Sequence, residues 1–538
     1  MAEEKSYNYQ INAAFLGVQR RAESVDRQTL VQTFVDIGAL FTVLSSHDHQ
    51  IVYGRRGTGK THALLYLAEK AKKAGDIPVY VDLRYIGSSG GVYADATIPI
   101  PQRATRLLLD VLGSVHESLF AYAIDAAMDL RAMGPALDAL ASSATEVEVL
   151  GEIQVESKQT KGDEQKDSTN NKLVVQRNPA LEFGSASVST TSSQSETKVA
   201  ESGTARYRVH FGSTSKALAE LVKAVKPARL LFVLDEWSAI PLDLQPYLAD
   251  LIRRAVFPVP GITVKIAAIE QRSNFKTGSH SDYTGIEIGA DASADVDLDD
   301  YMVFDNNAER AVEFFQELVF RHYKSETTPK PDFSSSNELV QAAFTQHNAF
   351  EDFVKAAEGV PRDAFNVLSI AAQRGMDDRI SIPTVRVAAR TWFQRDKDGA
   401  IRSNPDAQDL LHWIIDEVIA HRRARAFLLK SNTRHPLIDA LFDARLLHVM
   451  KRSISGQEEP GVRYDAYKLD YGCYVDLLAT TKAPIHQLFE TDADAEESGA
   501  TVKVPTDDYR AIRRAILDLA EFEKRDKPAV PNPEPNPS

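Results

Sequence analysis

The sequence predicts an α/β domain with a parallel sheet, then a helical region, and then a smaller α+β unit. Four short apolar runs alternate with helical patterns, at residues 50–53, 78–83, 230–234 and 264–269. Strands that alternate with helices form parallel sheets, and near-continuous apolar strands are buried on both faces. Residues from about 305 to 395 keep a helical pattern, and residues 404–480 combine helices with a β-hairpin pattern.

Length and composition indicate a globular protein of several domains. The 538 residues correspond to about three domains of about 150 residues each. Hydrophobic residues make up 43% and charged residues 26% of the chain, as in water-soluble proteins. No apolar run looks long enough to cross a bilayer, the N-terminus lacks signal-peptide character, and the single cysteine, Cys473, fits a reducing compartment. We therefore expect a cytoplasmic protein with no membrane partner.

The net charge limits how the protein could bind nucleic acid. Acidic residues outnumber basic ones by 76 to 62, which gives a formal net charge of −14. A surface of that sign does not attract nucleic acid as a whole. Any contact with DNA therefore requires a local basic patch.

The segment after the first predicted strand matches the phosphate-binding loop pattern G-x-x-x-x-G-K-[ST] at every fixed position. A strand enters this P-loop and a helical pattern at 62–74 leaves it, so backbone N–H groups and a helix N-terminus can face the phosphates of a nucleotide. Lys60 would reach the β- and γ-phosphates, and the Thr61 hydroxyl would hold Mg²⁺. The predicted nucleotide-binding residues here are Gly54, Arg55, Arg56, Gly57, Thr58, Gly59, Lys60, Thr61 and His62.

Two carboxylates follow the third predicted strand, the arrangement known as Walker B. The strand would aim Asp235 at Mg²⁺, while Glu236 would polarise a water against the γ-phosphate. Polar side chains also end the next strand, where Gln271, Arg272 and Asn274 could sense the γ-phosphate. The alternative is that the two acids only cap a strand and that the later polar residues form an ordinary surface loop.

A third candidate element is the Gly-Val-Pro-Arg segment at 359–362, which opens a helix. Proline suits the first turn of a helix and would hold Arg362 at the helix start. A capped helix with a surface arginine is the alternative.

These motifs, in this order, resemble those of AAA+ ATPases, and most of all the origin-recognition and initiator-loader clade. The resemblance covers about residues 30–380. It implies a helical lid whose "sensor 2" arginine is Arg362, ATP as the nucleotide, catalytic roles for Lys60, Glu236, Arg272 and Arg362, and homo-oligomers with nucleotide between subunits. It also implies an arginine finger acting on the neighbouring subunit, with Arg253 and Arg254 as candidates, although a helix C-terminus favours arginine anyway.

Some features depart from that family. The strand ending in Glu-Gln-Arg is closer to the STAND signalling ATPases, and residues 291–300 are unusually acidic. The predicted domains are a P-loop core at 1–304 with a polar insertion at about 152–204, a helical lid at 305–400, a winged-helix-like domain at 401–482, a helical extension at 483–526 and a Pro-rich tail at 527–538.

The predicted C-terminal unit combines helices with a β-hairpin, the outline of a winged helix. Residues 420–453 carry eight lysines and arginines against two aspartates, which could contact duplex DNA. The candidate contacts are Arg422, Arg423, Arg425, Lys451 and Arg452. The same surface could instead bind a partner protein.

Two functions follow from this sequence. The first is an ATP- and Mg²⁺-dependent ATPase whose nucleotide cycle controls assembly on DNA or on a partner. The second is a STAND-like regulatory or phage-defence switch whose C-terminal domain binds a protein. An intact Lys60, Asp235 and Glu236 make a scaffold without turnover less consistent with the sequence.

Overall fold

The chain forms two compact units. The computed structural model describes residues 6–36, 40–86, 91, 93–126, 128–145, 147–150, 153–157, 197–201, 204–207, 209–279, 282–299, 308–421, 426–431, 433, 435–455, 461–478 and 516–524. The α/β unit comprises Leu40–Tyr53 and Leu64–Val296, and the helical unit comprises Met1–Ala39, Gly54–Ala63 and Asp297–Ser538. The predicted domain boundaries stay predictions, and the Pro-rich tail lies outside the described residues.

Helices and strands alternate through the first half of the chain. The strands are β1 (Gln50–Tyr53), β2 (Ile77–Asp82), β3 (Val147–Leu150), β4 (Ile153–Ser157), β5 (Thr197–Glu201), β6 (Thr204–Tyr207), β7 (Leu230–Asp235), β8 (Ile262–Ala268), β9 (Lys276–Gly278), β10 (Tyr283–Gly285), β11 (Ser293–Asp297), β12 (Ala426–Lys430), β13 (Leu447–Ser455) and β14 (Arg463–Leu469). The helices are α1 (Tyr7–Gly17), α2 (Arg27–Thr33), α3 (Leu40–Leu44), α4 (Lys60–Ala74), α5 (Ile100–Asp125), α6 (Leu130–Thr145), α7 (Phe211–Val225), α8 (Gln245–Leu251), α9 (Ala308–Ser325), α10 (Ser336–Ala343), α11 (His347–Ala357), α12 (Pro361–Arg374), α13 (Ile382–Trp392), α14 (Asp398–Ile401), α15 (Pro405–Ile414), α16 (Pro436–Asp443), α17 (Tyr471–Leu478) and α18 (Leu519–Glu523).

A five-stranded sheet in the order β11-β1-β8-β7-β2 forms the centre of the α/β unit. β8 pairs in parallel with both β1 and β7, and β7 pairs in parallel with β2. All four predicted strands are therefore confirmed, and so is their parallel arrangement. The carboxyl ends of β1, β7 and β8 lie at one edge of the sheet, because Tyr53 pairs with Ala268 and Leu234 with Ile266.

Burial explains why these segments are strands. Every residue of β7 and β8 is buried, as expected for a sheet covered on both faces. The inner face of α5 contributes Val111, Val115 and Leu119 to the same core. Burying each such side chain stabilises the fold by about 1.5–3 kcal/mol.

Helix α5 is long and apolar enough, by length and composition alone, to cross a membrane. This corrects the sequence-based expectation that no segment is long enough. The helix has 26 residues, and its buried positions recur at helical spacing, as at Leu108, Val111, Leu112 and Val115. That face packs into the core of the α/β unit, as the core helix of a water-soluble protein does.

A lysine is fully buried in the centre of the sheet. The Lys265 ammonium donates to the backbone carbonyls of Ser46 and Asp48, at 2.9 and 3.1 Å, and to the side-chain oxygen of Gln50. All three acceptors are neutral, so burial is the dominant effect and lowers the pKa of Lys265 to about 7.

The polar insertion contains two antiparallel strand pairs in its described parts. β3 pairs with β6, and β4 pairs with β5. Within the insertion, the sequence also has two short β-like patterns, at 172–175 and 181–183, and both lie outside the described residues. A further two-stranded ribbon, β9 with β10, follows the sheet.

The helical unit contains the predicted lid helices. Serine side chains cap two of them: Ser335 accepts from the Glu338 N–H at the start of α10, and Ser381 accepts from the Thr384 N–H at the start of α13. Aromatic contacts join α11 to the residue that ends α10, since the Phe344 ring packs on Phe350 with centroids 5.1 Å apart. These contacts fix the helices whose next member, α12, starts with Pro361.

The C-terminal part of this unit is a three-stranded antiparallel sheet with helices. Strand order is β12-β14-β13, and the predicted hairpin is confirmed as β13 and β14. The short apolar segment at 426–429, for which the sequence analysis gives no strand, lies in the outer strand β12. One described helix, α16, lies between β12 and the hairpin. The assignment as a winged helix stays a prediction.

Candidate nucleotide-binding site

The P-loop, residues 54–61, adopts the tight turn that its glycines allow. It follows β1 directly, and α4 begins at Lys60. Gly57 and Gly59 have φ values of 87° and 94°, which L-residues with side chains rarely adopt. The Lys60 ammonium donates to the carbonyls of Gly54 and Arg55, at 2.7 and 2.9 Å. Lys60 is therefore held over the loop, where a phosphate oxygen can replace these acceptors.

The lid helix α12 begins against the P-loop. The backbone N–H of Arg362 donates to the Gly57 carbonyl at 3.3 Å. A Cβ placed on Gly57 would lie 3.0 Å from both the Cβ of Arg362 and the Cγ1 of Val360. The structure thus brings together the P-loop and the arginine that the sequence assigned to sensor 2.

Arg362 has a buried donor without an acceptor. Among the described residues, its Nε atom is buried and finds no hydrogen-bond partner. Burial, reinforced by the nearby Arg445 cation, lowers the pKa of Arg362. A partly buried guanidinium with an unpaired N–H is stabilised by an anion. The donor set therefore fits a phosphate group beside Gly57.

Arg55 is placed differently from the other predicted P-loop ligands. Its backbone N–H donates to Asp299 Oδ2 at 2.9 Å, and its Nε donates to Asp299 Oδ1 at 2.8 Å. Its Nη2 donates to the carbonyl of Glu358 at 2.9 Å, and the residue is only 2% exposed. Neither the N–H nor the guanidinium is directed to a ligand, whereas Arg56 is exposed.

His62 also contacts protein groups. Its Nε2 lies 2.8 Å from the Leu30 carbonyl, and its ring packs edge-on against Phe34. Burial lowers the pKa of His62, so the neutral ring is favoured and its Nε2–H is the donor to Leu30. His62 therefore ties the start of α4 to the segment that ends α2.

In the α/β unit, Asp235 ends β7 and is almost fully buried. The Tyr80 hydroxyl donates to Asp235 Oδ2 at 2.7 Å, and the Glu236 N–H donates to Oδ1 at 2.8 Å. These two donors fix the carboxylate in one orientation at the carboxyl edge of the sheet. Tyr80 was missed from the sequence, although its place on the neighbouring strand β2 was a usable signal.

Glu236 adopts a left-handed backbone conformation with a φ of 57°. A non-glycine residue in this region stores strain of about 1–3 kcal/mol, which is common at functional sites. Its carboxylate lies 4.0 Å from the Arg84 guanidinium, which is itself paired with Asp82 at 2.6 Å.

Of the proposed sensor residues, Gln271 and Arg272 lie in a single turn, Glu270–Arg272, after β8, and Asn274 follows that turn. Arg272 is exposed, and its carbonyl accepts from the side-chain amide of Gln245 at 3.1 Å. The Asn274 N–H donates to the same Gln245 side chain at 2.6 Å. Gln245 therefore shapes this turn, and the sensor roles of Gln271, Arg272 and Asn274 stay predictions.

Both arginine-finger candidates are paired with one carboxylate. Arg253 donates to Asp250 at 2.8 Å and lies over the Tyr283 ring, and Arg254 donates to the same carboxylate at 3.0 Å. Arg254 is the more exposed of the two side chains, at 54% against 22%. The greater exposure of the Arg254 side chain favours it over Arg253 as the arginine finger, and the assignment stays a prediction.

The predicted DNA contacts can be located only in part. Arg422, Arg423 and Arg425 lie outside the described residues. Lys451 and Arg452 belong to β13 of the C-terminal sheet. The sequence prediction for these five residues is therefore neither supported nor contradicted by side-chain geometry.

Comparison with known proteins gives a family and several similar structures. A family model described as ORC-CDC6-like matches residues 18–346. None of the curated proteins matches the chain. Among solved structures, the chain is similar to Cdc6p from Pyrobaculum aerophilum, with 12% identity, 86% of this chain and 95% of that chain covered, and a TM-score of 0.30.

Two further similar structures were solved with DNA. The Aeropyrum pernix Orc1 protein in complex with DNA is 12% identical, with 86% of this chain and 97% of that chain covered and a TM-score of 0.27. Drosophila ORC bound to DNA is 9% identical, with 85% and 93% covered and a TM-score of 0.28.

The family assignment agrees with the geometry described above. The five-stranded sheet with β7 ending in Asp235, and a P-loop that follows β1 in the chain, are features of an AAA+ P-loop fold. The family model covers more than half of the 538 residues. The chain therefore belongs to the ORC-CDC6-like family.

Proposed function

We propose that this protein binds ATP with Mg²⁺ and hydrolyses it to ADP and phosphate. The observation that carries the proposal is the junction of the P-loop with α12, where the unpaired Nε of Arg362 lies in the same small region as Gly57 and Lys60. The Nε–H of Arg362 and the Lys60 ammonium are donors beside a helix N-terminus, and this combination matches the needs of a triphosphate. Membership of the ORC-CDC6-like family supports the same choice of ligand.

The chain's own residues supply the remaining chemistry of the proposed reaction. Lys60 binds the β- and γ-phosphate oxygens once it leaves the carbonyls that it now contacts. Thr61 and Asp235 are the proposed Mg²⁺ ligands, and the bound ion would neutralise charge on the phosphates. Glu236 orients the attacking water and accepts its proton. Arg362 contacts the γ-phosphate from the lid, and Arg272 adds positive charge near the sheet edge.

We also propose that ATP controls assembly on duplex DNA through the C-terminal unit. Two of the similar structures contain DNA, and the segment at 420–453 is basic in an otherwise acidic chain. A hairpin with lysine and arginine at Lys451 and Arg452 suits contact with phosphates. Homo-oligomers with Arg253 or Arg254 acting on a neighbouring subunit complete this proposal.

The test measures ATP hydrolysis and DNA retention with the same protein preparations. We expect turnover in the wild type, loss of nucleotide binding in Lys60→Ala, and retained binding without turnover in Glu236→Gln. Normal hydrolysis by Glu236→Gln would contradict the role given to that carboxylate. The matched control is Glu270→Gln, which neutralises an acid in the turn after the neighbouring strand β8.

A salt series separates DNA from a protein partner as the target. Binding that weakens steeply with salt, and weakens further in an Arg422→Ala/Arg423→Ala variant, supports DNA contact through released counterions. No retention at low salt would favour the regulatory switch with a protein partner. Arg379→Ala, on a turn of the lid, is a matched control for loss of positive charge.

A further inference from the structure

The side chain of Arg55 connects the P-loop to the C-terminal sheet. Besides Asp299 and Glu358, its guanidinium contacts the Nδ1 atom of His448, a residue of β13. Both Arg55 and His448 are buried, at 2% and 0% exposure. No solvent therefore separates a loop that is proposed to hold phosphate from a strand more than 390 residues further along the chain.

The contact fixes the protonation of the His448 ring. A guanidinium can only donate, so Nδ1 must be the acceptor and Nε2 carries the hydrogen. Nε2 lies 3.2 Å from Asp470 Oδ2, a distance that suits this second hydrogen bond. The neutral ring thus joins Arg55 to a buried carboxylate and is held in one orientation by both partners.

The chain of contacts returns to the lid helix that faces the P-loop. Asp470 also accepts from Lys397, and Lys397 pairs with Asp363 at 2.9 Å. Asp363 follows Arg362 in the first turn of α12, and the Arg362 N–H donates to the P-loop at Gly57. The contacts therefore form a closed ring from the P-loop through the C-terminal sheet and back to the P-loop.

A second connection runs beside this ring. Glu358, whose carbonyl accepts from Arg55, pairs through its side chain with Lys468 at 2.5 Å. Lys468 is the residue of β14 that lies opposite His448 on β13. His448 and Lys468 lie opposite each other in the hairpin. His448 contacts Arg55 of the P-loop, and Lys468 contacts Glu358, which precedes α12.

These groups are all buried, so displacing one of them leaves a partner without compensation. A buried charged group that loses its partner destabilises the folded protein. Interfaces built from such groups therefore change between discrete arrangements and do not deform continuously. A ligand whose phosphates bind Lys60 and Arg362 acts on the ring in two places. One is the P-loop, where Lys60 contacts the Arg55 carbonyl, and the other is the start of α12 at Arg362. The C-terminal hairpin must then adjust with the P-loop.

We propose that His448 is a positioning residue for the P-loop, acting through Arg55, and that it couples nucleotide occupancy to the hairpin β13–β14. The inference rests on the proposed ATP binding and adds a regulatory link to the same site. It assigns to Arg55 a structural connection with the C-terminal unit, in place of the phosphate contact that the sequence predicted.

The experiment measures amide hydrogen exchange in β13 and β14 of the full chain, with and without ATP and Mg²⁺, together with ATP affinity. In the wild type, we expect ATP to slow exchange in the hairpin by about fivefold or more. His448→Phe keeps an aromatic ring but removes the acceptor, so it should abolish this slowing and weaken ATP binding by about fivefold or more. His448→Gln supplies a side-chain carbonyl and should restore both properties.

Val449→Ala is the matched control, because neighbouring residues of a strand point to opposite faces. It should keep the ATP-dependent slowing even if it lowers the melting temperature. The inference is overturned if the wild type binds ATP without any change in the hairpin, or if His448→Phe behaves as the wild type does. It is also overturned if Val449→Ala loses the response equally. If His448→Phe fails to fold, an unresponsive hairpin in the wild type, or loss of the response in His448→Gln, still overturns the inference.

The same experiment distinguishes an error in the proposed ATPase function from an error in the inference about His448. A wild type that does not bind ATP at all removes both the proposed ATPase and the inference that rests on it. ATP binding with an unresponsive hairpin removes only the inference.

Discussion

Replacing Gly57 by alanine tests the packing of the lid helix on the P-loop. The φ of 87° at this position is unfavourable for alanine by about 1–2 kcal/mol. The new Cβ would also lie 3.0 Å from atoms of Val360 and Arg362, closer than ordinary carbon contacts. Overpacking of this kind destabilises proteins by about 1–3 kcal/mol. We therefore expect Gly57→Ala to lower the free energy of unfolding by about 2–5 kcal/mol.

Gly59→Ala is the matched comparison. Gly59 has a similar φ of 94°, but a Cβ there would meet nothing within 4 Å. Gly59→Ala should therefore lower the free energy of unfolding only by the cost of the left-handed backbone conformation, about 1–2 kcal/mol. The difference between the two variants isolates the contact with the lid helix.

Urea denaturation followed by tryptophan fluorescence and by circular dichroism measures the two variants side by side. A fluorescent ATP analogue measures their affinities in parallel. If Gly57→Ala is no less stable than Gly59→Ala, the lid helix does not pack on the P-loop as described. The pairing of Arg362 with a bound phosphate would then lose its structural support.

Three further outcomes follow from individual side chains. Tyr80→Phe leaves one buried oxygen of Asp235 without its donor, so unfolding by urea should become easier by about 1–3 kcal/mol. The pKa of Lys265 is about 7 in the folded state, whereas in the unfolded state Lys265 stays protonated up to about pH 10. Between these pH values the unfolded state binds more protons than the folded state, so stability should rise from pH 7.5 to 9.5. Lys265→Met should show a smaller rise in the same denaturation series, and an equal slope would contradict the assignment. Arg362→Ala should weaken binding of ATP by about tenfold or more, measured by calorimetry, because charge-assisted hydrogen bonds contribute about 1.5–3 kcal/mol.

The core of the fold could be predicted from the sequence because its signals are local. The apolar run at 230–234, which ends in two carboxylates, predicts a buried strand, and the spacing of Gly54, Gly59 and Lys60 describes one loop. The alternation of these strands with helices predicted a parallel sheet, and the structure adds its register, such as Tyr53 opposite Ala268. The expectation that no segment is long and apolar enough to span a bilayer was wrong for α5.

The connection of Arg55 to the C-terminal sheet was beyond the reach of sequence reasoning. His448 and Asp470 have no spacing that relates them to a P-loop, and their pairing depends on how the helical unit folds. From the sequence alone, Arg55 at the second position of the P-loop is predicted to bind phosphate. Its contacts with Asp299 and Glu358 are visible only in the structure. The outer strand β12 was missed for a similar reason, because four apolar residues fit a helix or a strand equally well.

The most direct test of the account is calorimetric titration of the full chain with ATP and Mg²⁺, repeated with Lys60→Ala. The Lys60 ammonium donates to the carbonyls of Gly54 and Arg55, so Lys60→Ala removes a proposed phosphate ligand, and circular dichroism shows whether the variant stays folded. We expect saturable binding at one site per chain in the wild type and no measurable binding in the variant. Equal binding by the two proteins, or none by the wild type, would contradict the assignment of this loop as a nucleotide site.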